Sequence, residues 1–348
     1  MAVPEVLYTD PAWAVVGGTR VDPGTATIER EVFGDAIDLR FGPFTDGRYV
    51  ATGPALYEAV AGAGALAVYR CQVTPELLDA AGPQLKVVAR QGVGTDNLNA
   101  PLLAERGIVG FNIPDYCIDE VVAHTVGMVL AWERGLVEQH NGLTGGRFDI
   151  YHGRLPRRLR DRSVGIIGLG RIGKAVAARM RLFYRQVLAC DPALHADHMA
   201  GYGVVKADLP DLLANSDVVL LHCPLNATTR GMIDAAALGL MRPDALLVNT
   251  ARGALVDPEA LWTAVSTGGI GGAALDVFSP EDPHQNPWYA RLLTLPQVVV
   301  TSHRAFLSAE SEASSRRRVA EGIRQVLLTG RPPAAGHATS PAALAEAV

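Results

Sequence analysis

Three polar residues of this sequence could together reduce a carbonyl group that stands beside a carboxylate. Arg252 lies in the segment NTARG, Glu281 in the segment LDVFSPE, and His303 in the segment TSH. A planar guanidinium can hold a carboxylate through two parallel hydrogen bonds and polarise the neighbouring carbonyl. An imidazole can protonate the developing alkoxide, and a carboxylate behind it can orient the ring. Each residue alone has a structural explanation, but the ordered set predicts chemistry on a 2-oxo or 2-hydroxy acid.

A glycine-rich segment upstream of this set, VGIIGLGRIGK at residues 164–174, predicts a dinucleotide site. Gly168 permits a tight turn, Gly170 lets the backbone approach a pyrophosphate, and Gly173 lets the following helix pack closely on the strand. The start of that helix offers free N–H groups to phosphates. Asp191 ends the next apolar run. Its carboxylate would accept bonds from ribose hydroxyls and repel a 2′-phosphate, which favours NAD over NADP.

The strands that must position these residues are apolar throughout, as in parallel sheets that helices cover on both faces. Arg252, Glu281 and His303 each follow one of the last three predicted strands. They should therefore converge at the carboxyl edge of a sheet, where ligands bind in open α/β folds. The predicted strands are Ala65–Tyr69, Lys86–Ala89, Ile108–Phe111, Val164–Ile167, Gln186–Cys190, Asp217–Leu221, Ala245–Asn249, Gly272–Leu275 and Val298–Thr301.

Helical patterns separate these strands. They cover Thr74–Ala81, Ala100–Glu105 and the long stretch Asp119–Glu138, and a last helix is predicted near Ser308–Thr329. The segment Gly142–Arg162 is rich in glycine and arginine and predicts an irregular connection. The last helix is expected to stop at Gly330, and the Ala- and Pro-rich tail from Pro333 onward is expected to fray.

Composition excludes several classes of protein. The 348 residues carry a net charge of −5 and are 49% hydrophobic, which suits two globular domains and gives no general attraction to nucleic acid. The four cysteines include no CxxC pair, so we expect neither a metal site nor a disulfide framework. With no basic leader before an apolar core, and no apolar run of about 18 residues, we expect a cytoplasmic protein that does not enter a membrane.

The ordered motifs of the chain resemble those of the D-2-hydroxyacid dehydrogenases. The resemblance implies that Arg252 binds the substrate carboxylate, that His303 is the proton donor and acceptor, and that Glu281 is its partner. The matching motifs are GVGTDN at Gly92–Asn97, GLGRIG, LHCPLN at Leu221–Asn226, NTARG, LDV and TSH, between about Lys86 and Phe306.

The resemblance also implies which residues contact the two ligands. The substrate, a small-molecule acid, is expected at Arg90, Val93, Gly94 and Phe306. The cofactor NAD is expected at Gly168, Gly170, Arg171, Ile172, Gly173, Asp191, Cys223, Pro224, Thr250, Ala251 and Asp276.

The fold implied by the resemblance is α/β, with two doubly wound parallel-sheet domains. A Rossmann NAD-binding domain of residues 112–303 is expected as an insertion in a flavodoxin-like substrate domain of residues 1–111 and 304–348. The site is then expected in the cleft between them. Members of the family are usually homodimers that associate through the cofactor domain.

Two departures from the family pattern stand near the expected site. Ser302 replaces a proline that often precedes the catalytic histidine, and Ala123 stands before His124 where an acid is common. The segment PDYCIDE at residues 114–120 resembles a subgroup with phosphoglycerate dehydrogenases and C-terminal binding proteins, which are NADH-binding transcriptional corepressors.

Three functions remain open at this point. The chain could be a dehydrogenase of D-2-hydroxy acids, an NADH-responsive binding protein like the corepressors, or a dehydrogenase of an atypical one-carbon or phosphorus acid. Glu281 speaks against formate, because formate dehydrogenases that resemble this family carry a glutamine there. Arg90 also has two interpretations: it contacts a second anionic group of the substrate, or it braces the loop at Gly92–Gly94.

Overall fold

The computed structural model describes residues 3–340, which fold into two compact α/β units. The first unit is formed by residues 3–116 and 308–340, and the second by residues 117–307. The sequence motifs place the two boundaries at 111/112 and 303/304. In the structure, both passages of the chain from one unit to the other lie a few residues later.

A five-stranded parallel sheet forms the centre of the first unit. Its spatial order is β2-β1-β3-β4-β5, the doubly wound order of flavodoxin-like folds. The central strands are buried from end to end, as expected when helices cover both faces. The strands are β1 (Glu5–Tyr8), β2 (Asp38–Phe41), β3 (Ala65–Val68), β4 (Val87–Arg90) and β5 (Val109–Asn112).

The helices of this unit begin with local signals in the sequence. Thr74 caps one of them by accepting the backbone N–H of Leu77, and three of them carry proline in the first turn. Ser308 and Ser311 form a reciprocal capping box at the start of the C-terminal helix, Ala309–Thr329. The other helices are α1 (Thr27–Phe33), α2 (Pro54–Val60), α3 (Pro75–Ala81) and α4 (Ala100–Glu105).

A buried ion pair fixes the C-terminal helix to α1. Arg316 donates from Nη2 to Glu29 Oε2 at 2.6 Å and from Nε to Glu29 Oε1 at 2.8 Å, and both side chains are buried. The guanidinium also lies 3.8 Å from the ring centroid of Trp13. A buried charge is tolerated only when it is paired in this way, so the pair specifies how the last helix returns to the first unit.

The chain beyond the C-terminal helix pairs with the edge strand β5. Asn112 donates its N–H to the carbonyl of Gly336 at 2.9 Å, and Ala338 donates its N–H to the carbonyl of Gly110 at 2.9 Å. The Gly110 N–H donates to Thr339 Oγ1 at 3.0 Å. The predicted fraying is therefore wrong for residues 336–340, because an edge strand offers unpaired backbone groups to any nearby segment. The rest of the predicted tail, 341–348, lies outside the described residues.

A seven-stranded parallel sheet forms the centre of the second unit. Its order, β8-β7-β6-β9-β10-β11-β12, is that of a Rossmann fold with one added strand. The short edge strand β8 was not predicted from the sequence. The strands are β6 (Ser163–Ile167), β7 (Gln186–Cys190), β8 (Val205–Lys206), β9 (Val218–Leu221), β10 (Leu246–Asn249), β11 (Gly272–Leu275) and β12 (Val298–Val300).

One predicted helix of this unit is two helices. The pattern over Asp119–Glu138 predicts a continuous helix, but the helix ends at Glu133 and a new one starts at Leu136, because Gly135 takes a left-handed conformation between them. The second helix also extends into the predicted irregular segment. The helices are α5 (Ile118–Glu133), α6 (Leu136–Thr144), α7 (Arg171–Met180), α8 (Ala196–Ala200), α9 (Leu209–Asn215), α10 (Ala235–Leu240), α11 (Pro258–Ser266) and α12 (Pro287–Leu292).

The core of the second unit consists of two apolar layers on opposite faces of the sheet. In β9, Val218 and Leu220 join the layer with Trp132, whereas Val219 and Leu221 join the opposite layer. Because both faces are filled, polar residues are displaced to the strand ends. Among residues 3–340, no helix is long and apolar enough to cross a bilayer. The same residues contain no cluster of three or more His, Cys, Asp or Glu side chains arranged to bind a metal ion.

Replacing Gly336 with alanine should release the tail from β5. Gly336 has a φ of +73°, and a Cβ there would overlap the carbonyl oxygen of Asn112. Gly330 is a matched control, since its φ is +70° and nothing lies within 4 Å of its Cβ position. We expect G330A to cost about 1 kcal/mol of unfolding free energy from backbone strain, and G336A about 2–3 kcal/mol. Urea unfolding measures both, and equal losses would contradict the tail pairing.

Candidate active site

His303 and Glu281 are brought together at the carboxyl edge of the second sheet. The imidazole Nδ1 lies 2.8 Å from Glu281 Oε2, although 22 positions separate the two residues in the chain. Both side chains are partly exposed, at 19% and 37%. When Nδ1–H donates to the carboxylate, Nε2 becomes the nitrogen that can exchange a proton with a ligand. The arrangement is that of a base or acid oriented by a carboxylate.

Asp276, at the end of β11, holds the loop that carries His303. Its Oδ1 accepts the hydroxyl of Thr301 at 2.5 Å and the N–H of Arg304 at 3.0 Å, and its Oδ2 accepts the N–H of Ala305 at 2.9 Å. Its backbone carbonyl also accepts the N–H of His303 at 2.7 Å. His303 itself has a left-handed backbone, with a φ of +53°. A strained residue of this kind persists only where neighbouring contacts determine its conformation.

These contacts add a structural role to the one that the sequence predicts for Asp276. It is expected among the cofactor-binding residues, and its side chain is fully buried and accepts three hydrogen bonds from the chain itself. We therefore assign Asp276 to positioning the His303 loop. The sequence also missed His124, whose Nε2 lies 2.9 Å from Thr301 Oγ1 and 3.6 Å from Asp276 Oδ1. No local pattern connects α5 with this loop, so only the fold reveals the contact.

The segment that carries Arg252 is also held by its neighbours. Asn249, at the end of β10, accepts the N–H of Ala251 at 3.0 Å and donates to the carbonyl of Arg252 at 2.8 Å. A Cβ at Gly253 would overlap the backbone of Phe278, so this position requires glycine. Arg252 is partly exposed and donates from Nη1 to the Ala251 carbonyl at 2.8 Å. The guanidinium thus stands on a rigid turn at the same edge of the sheet as His303.

Two further predicted residues have contacts within this unit. The ring of Phe306 packs edge-on against the imidazole of His303, with centroids 6.2 Å apart and an interplanar angle of 84°. The hydroxyl of Thr250 lies 3.0 Å from that of Thr125 on α5. Phe306 therefore covers one side of the His303 imidazole, and Glu281 contacts Nδ1 of the same ring.

The glycine-rich turn has the geometry that a dinucleotide needs. Gly168 has a φ of +91°, and a Cβ there would lie 2.6 Å from the backbone nitrogen of Cys223. A Cβ at Gly173 would overlap the carbonyl of Gly168, which explains the close packing of α7 on β6. Nothing lies within 4 Å of the Cβ position of Gly170. This open space is where a phosphate could approach the backbone at the start of α7, beside Arg171 and Ile172.

Asp191 stands beside this turn, at the end of β7. Its Oδ2 accepts the N–H of Leu169 at 2.8 Å, and its Oδ1 accepts the N–H of Ala193 at 3.0 Å. The side chain stays partly exposed, so its oxygens can accept further bonds from ribose hydroxyls. Cys223 and Pro224 follow β9, and burial raises the pKa of the Cys223 thiol to about 11. The residues present fit NAD.

The predicted substrate residues of the first unit surround the loop after β4. Arg90 is only 8% exposed, and its guanidinium lies 5.2 Å from the ring centroid of Tyr69. The guanidinium donates to the backbone carbonyl of Gln91. A Cβ at Gly92 would overlap the same guanidinium. The carbonyl of Val93 accepts from Asn112 Nδ2 at 2.6 Å. These contacts support the interpretation that Arg90 braces the loop.

Residues 126–305 match the family described as D-isomer specific 2-hydroxyacid dehydrogenase, NAD binding domain. The chain belongs to this family. Its membership confirms the resemblance that the motifs indicated. Together with the two parallel sheets, it also confirms the predicted α/β fold with a Rossmann NAD-binding domain.

Similar proteins include dehydrogenases of several hydroxy acids. The chain is 36% identical to D-3-phosphoglycerate dehydrogenase of Mycobacterium leprae over 274 residues, which are 78% of this chain and 51% of that protein. It is 35% identical to 2-hydroxyacid dehydrogenase A of Aspergillus oryzae over 259 residues, 69% of this chain and 73% of that protein. The chain spans about half the length of the D-3-phosphoglycerate dehydrogenases it matches.

Solved structures show the same fold. D-lactate dehydrogenase of Aquifex aeolicus, complexed with NAD and lactic acid, matches with a TM-score of 0.82 and 25% sequence identity. The match covers 97% of this chain and 99% of that one. The shared fold therefore includes both units.

His222 should make the second unit sensitive to acid. It follows β9, its Nε2 is buried without a hydrogen-bond partner among the described residues, and burial lowers its pKa to about 4. Between about pH 6.5 and 4 the unfolded chain binds a proton that the folded chain rejects. The stabilising effect of the neutral ring is thus complete above this window and is lost as the pH falls through it.

Because of His222, the wild type should lose up to about 3 kcal/mol of unfolding free energy between pH 6.5 and 4. The change His222→Gln should abolish this loss. Urea unfolding at a series of pH values measures it. His140→Gln, an exposed position on α6, is the control and should leave the pH dependence unchanged. A pH dependence shared by wild type and H222Q would show that His222 is not responsible.

Proposed function

We propose that this protein is an NAD-dependent oxidoreductase that interconverts a D-2-hydroxy acid and the corresponding 2-oxo acid. The observation that supports it most directly is the 2.8 Å contact between His303 Nδ1 and Glu281 Oε2. This pair lies at the same sheet edge as Arg252 and in the same unit as a glycine turn that fits NAD. A site that only sensed NADH would need no oriented proton donor.

The residues of the chain have distinct roles in this proposal. Arg252 binds the substrate carboxylate and polarises the adjacent carbonyl. His303 gives a proton to the developing alkoxide during reduction and removes it during oxidation, while Glu281 orients the ring. NADH, when bound, supplies the hydride. The first unit serves as the substrate domain, in which the backbone of Val93 and Gly94 binds the substrate carboxylate.

We also propose that the protein is a homodimer that associates through the second unit. The segment after α6 exposes apolar side chains that a monomer would normally bury. Phe148 is 89% exposed, Tyr151 77% and Ile150 76%, and Leu155 follows at 70%. An exposed apolar run of this extent is typical of an interaction surface. A second copy of the same unit is the occupant that would cover it symmetrically.

The reaction itself can be tested by NADH oxidation with a panel of 2-oxo acids, together with formate and phosphite measured in the direction of NAD reduction. We expect turnover of a 2-oxo acid. His303→Ala should lower kcat by at least about a hundredfold, the usual scale for general acid–base catalysis, and leave NADH binding intact. His140→Ala is the control on the exposed face of α6.

Turnover of formate or phosphite alone would replace the proposed substrate class. NADH binding without any turnover would favour the binding-protein function instead. A kcat of H303A within a few-fold of wild type would remove His303 from the mechanism.

Cofactor preference should follow Asp191. Its carboxylate accepts the N–H of Leu169 beside the glycine turn, and this position supports a role in repelling a 2′-phosphate. We expect clear preference for NADH over NADPH, measured as the ratio of kcat/KM. Asp191→Ser should narrow that ratio. A wild-type protein that uses both cofactors equally would show that Asp191 does not select them.

The proposed dimer can be tested by light scattering coupled to size-exclusion chromatography. We expect a mass of about twice 36.8 kDa for the wild type. The double change F148D/I150D should give the monomer mass, because two charges cannot be buried in an apolar interface without partners. A monomeric wild type, or a double variant that remains dimeric, would rule out this surface.

A further inference from the structure

In the first unit, the loop of residues 69–73 follows β3 and is bound to a carboxylate of another strand. Asp10, just after β1, accepts the N–H of Tyr69 on Oδ1 at 2.9 Å. Its Oδ2 accepts the N–H of Arg70 at 2.6 Å and that of Cys71 at 3.0 Å. Three successive N–H groups thus converge on one side chain. Backbone arranged in this way is an anion-binding concavity, and here the chain supplies the anion itself.

Asp10 is itself held in place. The hydroxyl of Thr9 donates to its Oδ1 at 2.6 Å, and the Thr9 N–H donates to the carbonyl of Ala67 in β3 at 2.9 Å. Thr9 is buried, at 1% exposed. The carboxylate is therefore fixed to the sheet by contacts that do not involve the loop.

A second residue holds the same loop from its carbonyl side. Asn97 donates from Nδ2 to the carbonyl of Cys71 at 2.9 Å and to that of Tyr69 at 3.3 Å. The backbone carbonyl of Asn97 accepts the N–H of Val73 at 2.9 Å. Asn97 is buried and belongs to the loop after β4. The 69–73 loop is thus clamped between Asp10, just after β1, and Asn97, in the loop after β4.

The clamp determines where the loop presents its side chains. The ring of Tyr69 lies 5.2 Å from the guanidinium of Arg90, and Arg90 packs directly against Gly92. A shift of the 69–73 loop would therefore move Tyr69 and remove a contact from the arginine that braces the Gly92–Gly94 turn. Cys71 is buried within the loop, and burial raises the pKa of its thiol to about 12, so the thiol stays neutral and well packed.

We propose that Asp10 is a positioning residue for substrate recognition. It fixes the 69–73 loop, and through Tyr69 and Arg90 it supports the turn that receives the substrate carboxylate. This step rests on the function proposed above. Because the three converging N–H groups donate to Asp10, they serve to hold the loop.

The test compares Asp10→Asn with Asp22→Asn. Asp22 also accepts a backbone N–H, that of Gly24 at 2.8 Å, but it lies on an exposed turn of the same unit. In D10N an amide NH₂ replaces an oxygen that accepts hydrogen bonds, so at least one N–H loses its acceptor. We expect amide hydrogen exchange at residues 69–71 to rise about tenfold, and KM for the best 2-oxo acid to rise about tenfold, with kcat within about twofold. NADH affinity should not change, and D22N should change none of these values.

Asn97→Ala releases the loop from the other side and provides a second arm if D10N does not fold. It should raise exchange at residues 69–73 and KM in the same direction. Faster exchange with an unchanged KM in either variant would overturn the positioning role and leave the proposed function standing. If the wild type reduces no 2-oxo acid, the proposed function fails. Amide hydrogen exchange then tests whether Asp10 fixes the 69–73 loop, and an unchanged exchange rate at residues 69–71 in D10N would overturn that claim.

Discussion

A fully buried carboxylate, that of Asp276, holds the reactive loop of the second unit in place. Burying a charge is costly unless donors replace the lost water, and here the Thr301 hydroxyl and two backbone N–H groups do so. The same residue accepts the N–H of His303 through its backbone. These bonds connect β11 with the loop after β12 and hold His303 in its left-handed conformation. The contact of His303 with Glu281 depends on that conformation.

An aspartate that accepts backbone N–H groups in this way occurs at three strand ends. Asp10 follows β1, Asp191 follows β7 and Asp276 follows β11, and each accepts at least one backbone N–H from the loop after a neighbouring strand. In a parallel sheet, adjacent carboxyl ends bring such loops together, but the chain between them is long and gives no local constraint. A carboxylate that binds two or three N–H groups supplies the missing constraint across the sheet. Each one stands next to a region that is proposed to bind substrate, ribose or the reacting carbonyl.

Contacts of this kind join residues that are far apart in the chain, and this explains which features could be predicted from the sequence. The glycine turn and the segments that carry Arg252, Glu281 and His303 are short motifs that each follow one strand. They could therefore be identified from the sequence. The pairing of the tail with β5, the clamp at Asp10 and the contact of His124 with Thr301 join residues far apart in the chain. The division of the long helix at Gly135 was missed because apolar residues recur on both sides of the break. Pattern reasoning detects periodicity, and a single left-handed residue leaves the period almost unchanged.

Asp191 and Asp276 show what the structure adds to residue type and position. Both are aspartates at or just after the end of a strand in the same sheet, and both were expected to contact the cofactor. Asp276 is buried, and three of the bonds that its oxygens can accept come from the chain itself. Asp191 is partly exposed and accepts only one N–H from the neighbouring loop and one from its own. The two carboxylates therefore differ in exposure: that of Asp276 is enclosed by the fold, whereas that of Asp191 keeps oxygens that can receive a ribose. Exposure follows from packing that no local motif records.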